Sequence, residues 1–186
     1  EKVNLEKYED YRVLMLVDKS ENNNVIGLIL LEDKLREEAS KTIKYFTKEG
    51  VDIKIISGDN PRTIRRIVKR LGLDFDKYVD ASKLTDEELK KCVDDTTIFG
   101  RVTPFQKRII IKELKRLGHT VSMVGDGVND VLALKESDCS IALACGSTAA
   151  YNVSDLVLLN SDFTSIPSIV EEGMQCTNMA HVYICK

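Results

Sequence analysis

Short apolar segments alternate along this chain with segments in which apolar residues recur every three or four positions. Runs rich in valine, isoleucine and leucine predict β-strands, and the three-to-four spacing predicts amphipathic helices. Strands are predicted at residues 13–17, 25–31, 52–57, 78–79, 98–99, 120–124, 139–143 and 156–159. Helices are predicted at residues 37–49, 60–71, from 85 onward, 103–117, 128–136, as one turn near 149, and after 167.

Residues at the helix boundaries support these assignments. Thr85 and Glu88 have the spacing of a capping box, and so do Thr103 and Gln106. Pro104 suits the first helical position, because a backbone N–H there would have no partner within the helix. Glycines follow three of the predicted helices, where they permit a left-handed terminating conformation: Gly50, Gly72 and Gly118.

The order of the elements predicts the fold class. The first two strands flank a turn at residues 21–24 and predict a short N-terminal β extension. Strands and helices then alternate, which predicts an α/β fold: a doubly wound, mostly parallel sheet of Rossmann type with helices on both faces. Ligands of such sheets bind at the carboxyl ends of the strands, so polar residues that directly follow a strand are the first candidates for a site.

Composition narrows the class of protein. A chain of 186 residues, 43% hydrophobic and 31% charged, is long enough to bury one core and is expected to form one main domain. The formal charge of −3 gives no basic field for a nucleic-acid partner. No apolar run approaches the roughly 20 residues of a membrane helix, so this stretch of chain is expected to be soluble. The five cysteines include no C-x-x-C pair, which favours reduced thiols.

An acidic loop with two glycines follows the strand predicted at 120–124. Gly125 and Gly127 permit a tight turn and a close approach of the backbone to a ligand. Asp126 and Asp130 are four residues apart, so a turn that leads into a helix can aim both into one crevice. Two carboxylates facing one site repel each other unless a cation lies between them, and oxygen ligands suit Mg²⁺. A capping aspartate beside a solvated one explains the loop equally well.

Ser57 and Lys107 lie at two other strand-to-helix positions. A hydroxyl at the amino end of a helix, beside backbone N–H groups, forms a seat for phosphate. A lysine ammonium supplies a point charge to a phosphoryl group. Taken singly, Ser57 is explained as a capping residue and Lys107 as a surface charge of a helix. Together with the acidic loop they indicate magnesium-assisted phosphoryl transfer.

Four segments resemble motifs of the haloacid dehalogenase superfamily and, within it, of the P-type cation-transporting ATPases. Residues 123–130 read MVGDGVND and are similar to the family's M-V-G-D-G-x-N-D. Residues 57–60 (SGDN) resemble T-G-D-N, and residues 101–107 (RVTPFQK) resemble R-V-x-P-x-x-K. Residues 33–36 (DKLR) occupy the place of D-P-P-R without its two prolines. The order and separations agree, so the resemblance extends over about residues 25–169.

The resemblance implies a role for each matched residue. Ser57 and Gly58 would hydrogen-bond the transferred phosphoryl group, and Lys107 would neutralise its charge. Asp126 would hold Mg²⁺. The residues that would orient the phosphate, the metal and the lysine are Asn129 and Asp130. The residues that would line the nucleotide approach, or the hinge to a nucleotide-binding domain, are Asp33, Arg36, Asp59 and Arg101.

The chain departs from the family pattern because it contains no D-K-T-G-T motif. In the family this motif carries the phosphorylated aspartate and precedes an inserted nucleotide-binding domain. The resemblance therefore implies the second, larger part of a split phosphorylation domain, inactive by itself. We predict an exit from the nucleotide-binding domain or a hinge at 1–24, the phosphorylation domain at 25–169, and the start of a stalk towards the membrane at 170–186. Residues 171–186 match that stalk poorly.

The resemblance also implies partners. The whole protein would be an ATP-driven cation pump with an aspartyl-phosphate intermediate, with ATP as substrate, Mg²⁺ as cofactor and a metal cation as cargo. This chain would be a cytoplasmic domain of an integral membrane protein whose membrane helices lie elsewhere in the polypeptide. The string VTPFQK at 102–107 and the absence of heavy-metal C-x-x-C modules favour the calcium or magnesium class over the copper class.

Two other functions remain open at this point. A free-standing phosphatase of the same superfamily requires a nucleophilic aspartate on a first strand, and Asp18 is the nearest candidate, although the asparagines behind it favour a hairpin turn. A non-enzymatic regulatory domain of the receiver type shares the doubly wound fold. It has no use for a pairing of Lys107 with Asp126 and Asp130.

Overall fold

The computed structural model describes residues 11–20, 24–31 and 37–173 of the chain. By its internal contacts the chain divides into two compact units, residues 1–36 and residues 37–186. Each unit has its own secondary structure and is described separately.

The unit 1–36 contains an antiparallel hairpin of strands β1 (Arg12–Asp18) and β2 (Asn24–Leu31). This hairpin confirms the predicted β extension, while residues 21–23 of the predicted turn lie outside the described residues. Successive side chains of a strand point to opposite faces. Leu14 is 46% exposed and its neighbour Met15 47%, and on β2 Ile26 is 62% exposed. The ribbon therefore presents apolar side chains on both of its faces.

In the unit 37–186, strands and helices alternate as predicted. Its strands are β3 (Ile55–Ile56), β4 (Tyr78–Asp80), β5 (Ile98–Gly100), β6 (Ser122–Gly125), β7 (Cys139–Leu143) and β8 (Leu156–Leu158). Its helices are α1 (Glu37–Lys48), α2 (Pro61–Arg70), α3 (Asp86–Cys92), α4 (Pro104–Arg116), α5 (Val131–Glu136) and α6 (Thr148–Tyr151), and residues 166–173 are helical as well. Short 3-10 turns occupy Ala81–Lys83, Val128–Asp130 and Phe163–Ser165.

The six strands of this unit form two three-stranded parallel sheets. The strand order is β3-β5-β4 in one sheet and β6-β7-β8 in the other. Both β3 and β6 are terminal strands, so within the described residues each is paired along one edge only. With β4 and β8 at the other ends, the two sheets leave four edges that accept no strand from the described part of the chain, and two of these edges, on β3 and β6, belong to strands that lead into the candidate site.

Helices cover both faces of the β3-β5-β4 sheet. Ile98 and Phe99 are neighbours on β5, point to opposite faces, and are both fully buried. Ile98 belongs to a buried cluster with Ile64 of α2. Phe99 belongs to a larger cluster with Leu89 of α3 and Ile110 of α4. The apolar face of α2 thus covers one face of the sheet, and the apolar faces of α3 and α4 cover the other.

The same helical layers extend over the β6-β7-β8 sheet. Ala142 of β7 belongs to the larger cluster, so one core covers one face of both sheets. On the opposite face, α1 spans the two: Ile43 packs against the cluster around Ile98, and Phe46 packs against the cluster around Ile141. This arrangement confirms the predicted doubly wound α/β class with helices on both faces.

Most predicted elements agree with the structure to within one or two residues at each end, and two differ in a way that has a clear physical cause. The strand predicted at 52–57 is paired only over Ile55–Ile56, because its partner β5 is itself only three residues long. The helix predicted at 128–136 begins as the 3-10 turn Val128–Asp130 and continues as α5. In that turn the side chain of Asp130 accepts hydrogen bonds from the preceding loop, and this local bonding replaces the first turn of an α-helix.

Both predicted capping boxes are present. In the box before α3, Glu88 N–H donates to Thr85 Oγ1 at 3.3 Å and Thr85 N–H donates to Glu88 Oε2 at 2.8 Å. In the box before α4, Gln106 N–H donates to Thr103 Oγ1 at 3.2 Å and Thr103 N–H donates to Gln106 Oε1 at 3.1 Å. The second box fixes the start of α4, and with it the position of Lys107 in the first turn of that helix.

Candidate active site

Strand β6 ends at Gly125 in a loop that folds around the carboxylate of Asp130. Oδ2 of Asp130 accepts hydrogen bonds from the backbone N–H of Asp126 at 3.3 Å and of Gly127 at 3.1 Å. A Cβ added at Gly125 would lie 2.7 Å from the Cβ of Asp130, closer than real Cβ atoms approach. The glycine at 125 therefore leaves the room that the Asp130 side chain occupies.

The other oxygen of Asp130 forms an ion pair with Lys107, with 2.6 Å between Nζ and Oδ1. The two side chains are only 12% and 10% exposed. Charges removed from water to this degree depend on each other for compensation. The structure thus brings the lysine of one predicted motif into direct contact with the acidic loop of another.

Asp126 and Asn129 are exposed, and no hydrogen bond or ion pair among the described residues engages either side chain. Throughout the residues that the structure describes, no group of three or more His, Cys, Asp or Glu residues is arranged to hold a metal. Mg²⁺ usually keeps several waters and binds through one or two carboxylates plus a substrate phosphate. The carboxylate of Asp126 can supply one ligand of such a magnesium ion when water and a phosphate supply the others. One carboxylate is too few for a site built from protein ligands alone.

Ser57 lies where β3 ends, and its loop is bonded to the segment that follows β5. Ser57 N–H donates to Phe99 O at 2.9 Å, and Val102 N–H donates to Ser57 O at 3.0 Å. Arg101 N–H donates to Asp59 O at 2.8 Å. The Ser57 loop is therefore fastened to the strand end that leads into α4, the helix that carries the lysine.

The hydroxyl of Ser57 does not cap α2. Asn60 is the cap, since its Oδ1 accepts a hydrogen bond from Arg62 N–H at 3.0 Å. Ser57 Oγ instead accepts from Asp59 N–H at 3.1 Å. Gly58 is exposed, and a Cβ added there would meet no atom within 4 Å. Space for a ligand is therefore open beside the loop.

The candidate residues follow the carboxyl ends of strands from both sheets. The Lys107–Asp130 pair joins the first turn of α4, which follows β5, to the turn that follows β6, so these strand ends lie on the same side of the molecule. Among the described residues no hydrogen bond joins the Ser57 hydroxyl to Lys107 or to Asp126. The two halves of the site are connected through the backbone of the β5–α4 segment.

Arg101 has a backbone φ of 53°, a left-handed conformation that non-glycine residues seldom adopt. Its guanidinium forms an ion pair with Asp80 at 3.4 Å. Asp80 ends β4, and its Oδ1 also accepts hydrogen bonds from the N–H of Ser82 at 3.2 Å and from its hydroxyl at 2.6 Å. No pattern in the sequence marks Asp80, because its partner Arg101 lies 21 positions further along the chain. Asp33 and Arg36 lie outside the described residues.

Replacing Asp80 with asparagine is expected to remove a pH-dependent contribution to stability. The hydroxyl of Ser82 first, and then its backbone N–H and the charge of Arg101, hold the pKa of Asp80 below its ordinary value of 3.8. The ionised carboxylate therefore stabilises the folded state above the ordinary pKa, and this effect is lost as the pH falls through the lower folded-state pKa. Urea denaturation should show a deficit for Asp80→Asn at about pH 7 that shrinks towards about pH 3.

Ser82→Ala is the matched variant for this prediction, since it keeps the carboxylate and removes the largest cause of the lowered pKa. It should reduce the pH dependence without abolishing it. A pH profile of Asp80→Asn that runs parallel to that of the wild type would contradict the prediction.

The fold and this group of residues match a known protein family. A family model described as a haloacid dehalogenase-like hydrolase matches residues 2–138. The chain belongs to the haloacid dehalogenase-like hydrolases, as the resemblance of its motifs predicts.

Within that family the chain is homologous to cation-transporting ATPases. It is 50% identical over 164 residues to the probable cation-transporting ATPase exp7 of Streptococcus pneumoniae, covering 86% of this chain and 21% of that protein. It is 46% identical over 150 residues to the calcium-transporting ATPase CtpE of Mycobacterium tuberculosis, covering 80% of this chain and 19% of that protein. The magnesium-transporting ATPase, P-type 1, of Salmonella typhimurium is 33% identical over 193 residues, covering 91% of this chain and 21% of that protein. The chain spans about a fifth of the length of these relatives.

Solved structures show the same likeness. A zinc-transporting PIB-type ATPase in the E2.Pi state is 26% identical with a TM-score of 0.65, over 91% of this chain and 24% of that one. The catalytic domain of the CPx-ATPase CopB-B is 25% identical with a TM-score of 0.56, over 84% of this chain and 57% of that one. Within residues 11–20, 24–31 and 37–173, no helix has the length and apolar character needed to cross a membrane.

Proposed function

We propose that this chain is the larger part of the phosphorylation domain of an ATP-driven cation pump that works through an aspartyl-phosphate intermediate. The observation that carries the proposal is the buried pair of Lys107 and Asp130, bonded to the backbone of Asp126 at the carboxyl ends of parallel strands. A buried ion pair is weak evidence for stability, whereas an ammonium held beside an exposed carboxylate suits a phosphoryl group and its metal. The homology with cation-transporting ATPases supports the same function.

The sheet topology supports the idea that a further strand completes the domain. Each terminal strand, β3, β4, β6 and β8, has one unpaired edge within the described residues, and of these β3 and β6 lead into the loops that carry Ser57 and Asp126. We propose that a parallel strand ending in D-K-T-G-T, which the family carries earlier in the polypeptide, pairs with the edges of β3 and β6. Its aspartate would then emerge on the side of the sheets where Ser57, Lys107 and Asp126 lie.

In this proposal each site residue acts on the phosphorylated carboxyl group. The hydroxyl of Ser57 and the backbone of the exposed Gly58 hydrogen-bond phosphoryl oxygens. The ammonium of Lys107 neutralises their charge, and Asp130 holds that ammonium in place. Asn129 lies on the same turn as Asp130 and orients the phosphate.

Mg²⁺ and ATP are part of the proposal. Asp126 would bind the metal, together with water and a phosphate oxygen. When bound, Mg²⁺ supplies positive charge that stabilises the transferring phosphoryl group. Asp59 and Arg101, which follow β3 and β5, would line the nucleotide approach, and the same role is proposed for Asp33 and Arg36.

The first strand of the apolar hairpin lies in the predicted segment 1–24, proposed as the exit from the nucleotide-binding domain or a hinge, and its second strand lies at the start of the proposed phosphorylation domain. A two-stranded hairpin is marginally stable alone, and apolar side chains exposed on both faces suit burial against further strands. Residues 25–169 would contain the phosphorylation domain, and residues 170–186 would begin the stalk towards the membrane. The chain would then be a cytoplasmic domain of a membrane protein.

The transported ion is proposed to be Ca²⁺ or Mg²⁺. Two of the relatives carry an ion in their names: the calcium-transporting ATPase is 46% identical to this chain, and the magnesium-transporting ATPase is 33% identical. The zinc-transporting neighbour is less similar, at 26% identity.

A free-standing phosphatase that uses Asp18 has less support. Asp18 ends β1 opposite Asn24 in an antiparallel sheet of two strands, separate from the parallel sheets that carry the site. Its carboxylate accepts hydrogen bonds from the hydroxyl of Ser20 at 2.6 Å and from its backbone N–H at 2.8 Å, which lower the pKa of Asp18. These bonds are typical of a turn residue rather than a nucleophile.

Phosphorylation of the chain and of the complete reading frame tests the proposal. Incubated with radiolabelled ATP and Mg²⁺, the 186-residue chain is expected to acquire no acid-stable label, because it lacks the nucleophile. The complete protein is expected to acquire label that hydroxylamine removes, as an acyl phosphate requires. Lys107→Met in the complete protein should lower the rate of labelling by about 100-fold or more. Hydroxylamine-sensitive label on the chain alone, or none on the complete protein, would refute the proposal.

A further inference from the structure

The segment that follows β7 contacts the backbone of Asp126. The N–H of Ser147 donates a hydrogen bond to the carbonyl oxygen of Asp126 at 2.6 Å. A Cβ added at Gly146 would overlap that oxygen and would lie 2.8 Å from the carbonyl carbon of Asp126 and 2.9 Å from its Cα. Real Cβ atoms essentially never approach another atom this closely, so only glycine fits at this position.

The contact leaves neither partner an easy way to move. Ala144 N–H donates to Leu158 O at 3.0 Å, and Cys145 N–H donates to Ser161 Oγ at 2.8 Å, so the segment is fastened to β8 and to the turn after it. The atoms opposite the glycine are main-chain atoms of Asp126 rather than the end of a flexible side chain. A methyl group at position 146 would therefore displace the Asp126 backbone.

Asp126 is also held on its other side. Its N–H donates to Oδ2 of Asp130 at 3.3 Å, while its carbonyl oxygen accepts from Ser147. Hydrogen bonds on both sides of Asp126 fix the direction of its Cα–Cβ bond. They therefore also set the position of its carboxylate, which no other described residue contacts through a hydrogen bond or ion pair. Mg²⁺ demands near-ideal octahedral geometry, so a small displacement of a ligand weakens its binding.

We propose that Gly146 and the backbone N–H of Ser147 are positioning elements that aim the Asp126 carboxylate at a divalent metal. The inference rests on the metal-binding role of Asp126 in the proposed function, and it adds the carboxyl end of β7 to the site. Groups that orient a metal ligand typically change metal affinity 10- to 100-fold when they are altered. Gly146→Ala is therefore expected to weaken metal binding by about 10-fold or more.

Binding of Mn²⁺, a paramagnetic substitute for Mg²⁺, measures the effect. Mn²⁺ is titrated into the complete protein in the presence of beryllium fluoride, a mimic of the phosphoryl group, and the free ion is quantified from its electron paramagnetic resonance signal. Asp126→Asn defines the affinity that remains without the ligand. Gly118→Ala is the matched control for stability. Gly118, with φ 95°, follows α4 and precedes the amino end of β6, whereas Asp126 follows the carboxyl end of that strand, so the substitution strains the fold outside the site.

A second pair of variants separates the backbone bond from the side chain of Ser147. The hydroxyl of Ser147 caps α6 by accepting a hydrogen bond from Ala149 N–H at 3.1 Å. Ser147→Ala removes only this cap and is expected to leave Mn²⁺ affinity within about twofold of the wild type. Ser147→Pro also removes the N–H that Asp126 requires, at a φ of −75° that proline accepts. It is expected to weaken Mn²⁺ binding as Gly146→Ala does, and it decides the matter if Gly146→Ala does not fold.

Each outcome supports or overturns the inference. Weaker binding in Gly146→Ala and Ser147→Pro, with Ser147→Ala and Gly118→Ala near the wild type, supports it. Unchanged binding in Gly146→Ala and Ser147→Pro, alongside a loss in Asp126→Asn, overturns it and leaves the proposed function intact. An affinity of Asp126→Asn equal to that of the wild type overturns both the metal-binding role of Asp126 and the inference. An equal loss in Gly118→Ala overturns it as well, because general destabilisation then explains the effect.

Discussion

Asp130→Ala is expected to lower the free energy of unfolding by about 3–5 kcal/mol, the cost of breaking a buried ion pair by removing one partner. The substitution leaves the Lys107 ammonium, only 12% exposed, without its counter-charge. It also removes the acceptor for the backbone N–H groups of Asp126 and Gly127. Partly buried donors left without an acceptor add a penalty of their own. The loss therefore exceeds what the single contact at 2.6 Å would suggest.

Lys107→Met is expected to cost less, because Asp130 keeps its two backbone donors when the ammonium is gone. The double variant should be more stable than the sum of the two single losses predicts. Its second substitution removes the very charge that the first one leaves uncompensated. Urea denaturation of the four proteins gives the coupling free energy, which we expect to lie between about 0.5 and 3 kcal/mol.

An exposed ion pair of the same chain serves as the comparison. Lys77 and Asp95 are 3.2 Å apart with side chains 67% and 85% exposed, so their coupling free energy should be at most about 1 kcal/mol. If the Lys107–Asp130 cycle gives no larger value than this pair, burial does not strengthen the contact. The buried pair of Lys107 and Asp130 would then give no energetic support to the proposed phosphate site.

Helix starts and the fold class could be predicted from the sequence because their causes are local or periodic. The Thr103–Gln106 box depends on residues three positions apart, and the structure shows both of its hydrogen bonds. The alternation of apolar runs also predicted the parallel strands, although the structure divides them between two sheets where one was predicted. The association of Lys107 with the acidic loop could be predicted only by treating strand ends as one edge of a sheet. The pattern of a single helix contains no such information.

Other features of the site depend on contacts between residues remote in sequence, which no local pattern reports. Asp80 is paired with Arg101, 21 residues away, and its sequence context resembles an ordinary turn. Gly146 meets Asp126 across the ends of two neighbouring strands, so the reason for a glycine there appears only in three dimensions. The 3-10 turn Val128–Asp130 has the same origin, since the bonds of the Asp130 side chain shape it.

Gly100→Ala is expected to disturb the alignment of the loops that carry Ser57 and Lys107. A Cβ added at Gly100 would overlap Cδ of Pro61 and would lie 2.5 Å from the proline nitrogen and 2.7 Å from its Cα. The proline ring is rigid and the other two atoms are main chain, so no side-chain rotation relieves the overlap. Either the loop at 57–61 or the end of β5 must shift. Overpacking of this kind costs about 1–3 kcal/mol of unfolding free energy.

The shift should affect phosphoryl transfer more than it affects stability. Ser57 is bonded to Phe99 and to Val102, on the two sides of Gly100, so a displacement at position 100 acts directly on the serine loop. A misplacement of about 1 Å between catalytic groups reduces rates by about 100-fold. The complete protein carrying Gly100→Ala is therefore expected to form phosphoenzyme about 100-fold more slowly, as rapid-quench labelling with radiolabelled ATP would measure.

Gly72→Ala distinguishes misalignment from instability. Gly72 ends α2 with φ 70°, and alanine in that left-handed conformation costs about 1–2 kcal/mol without touching the Ser57 loop. This variant should lose a similar amount of unfolding free energy and keep its rate of phosphorylation. If Gly100→Ala and Gly72→Ala are equally stable and are phosphorylated at equal rates, the hydroxyl of Ser57 needs no fixed distance from α4. The serine and the lysine would then not act on the same phosphoryl group, because a shared ligand requires both at once.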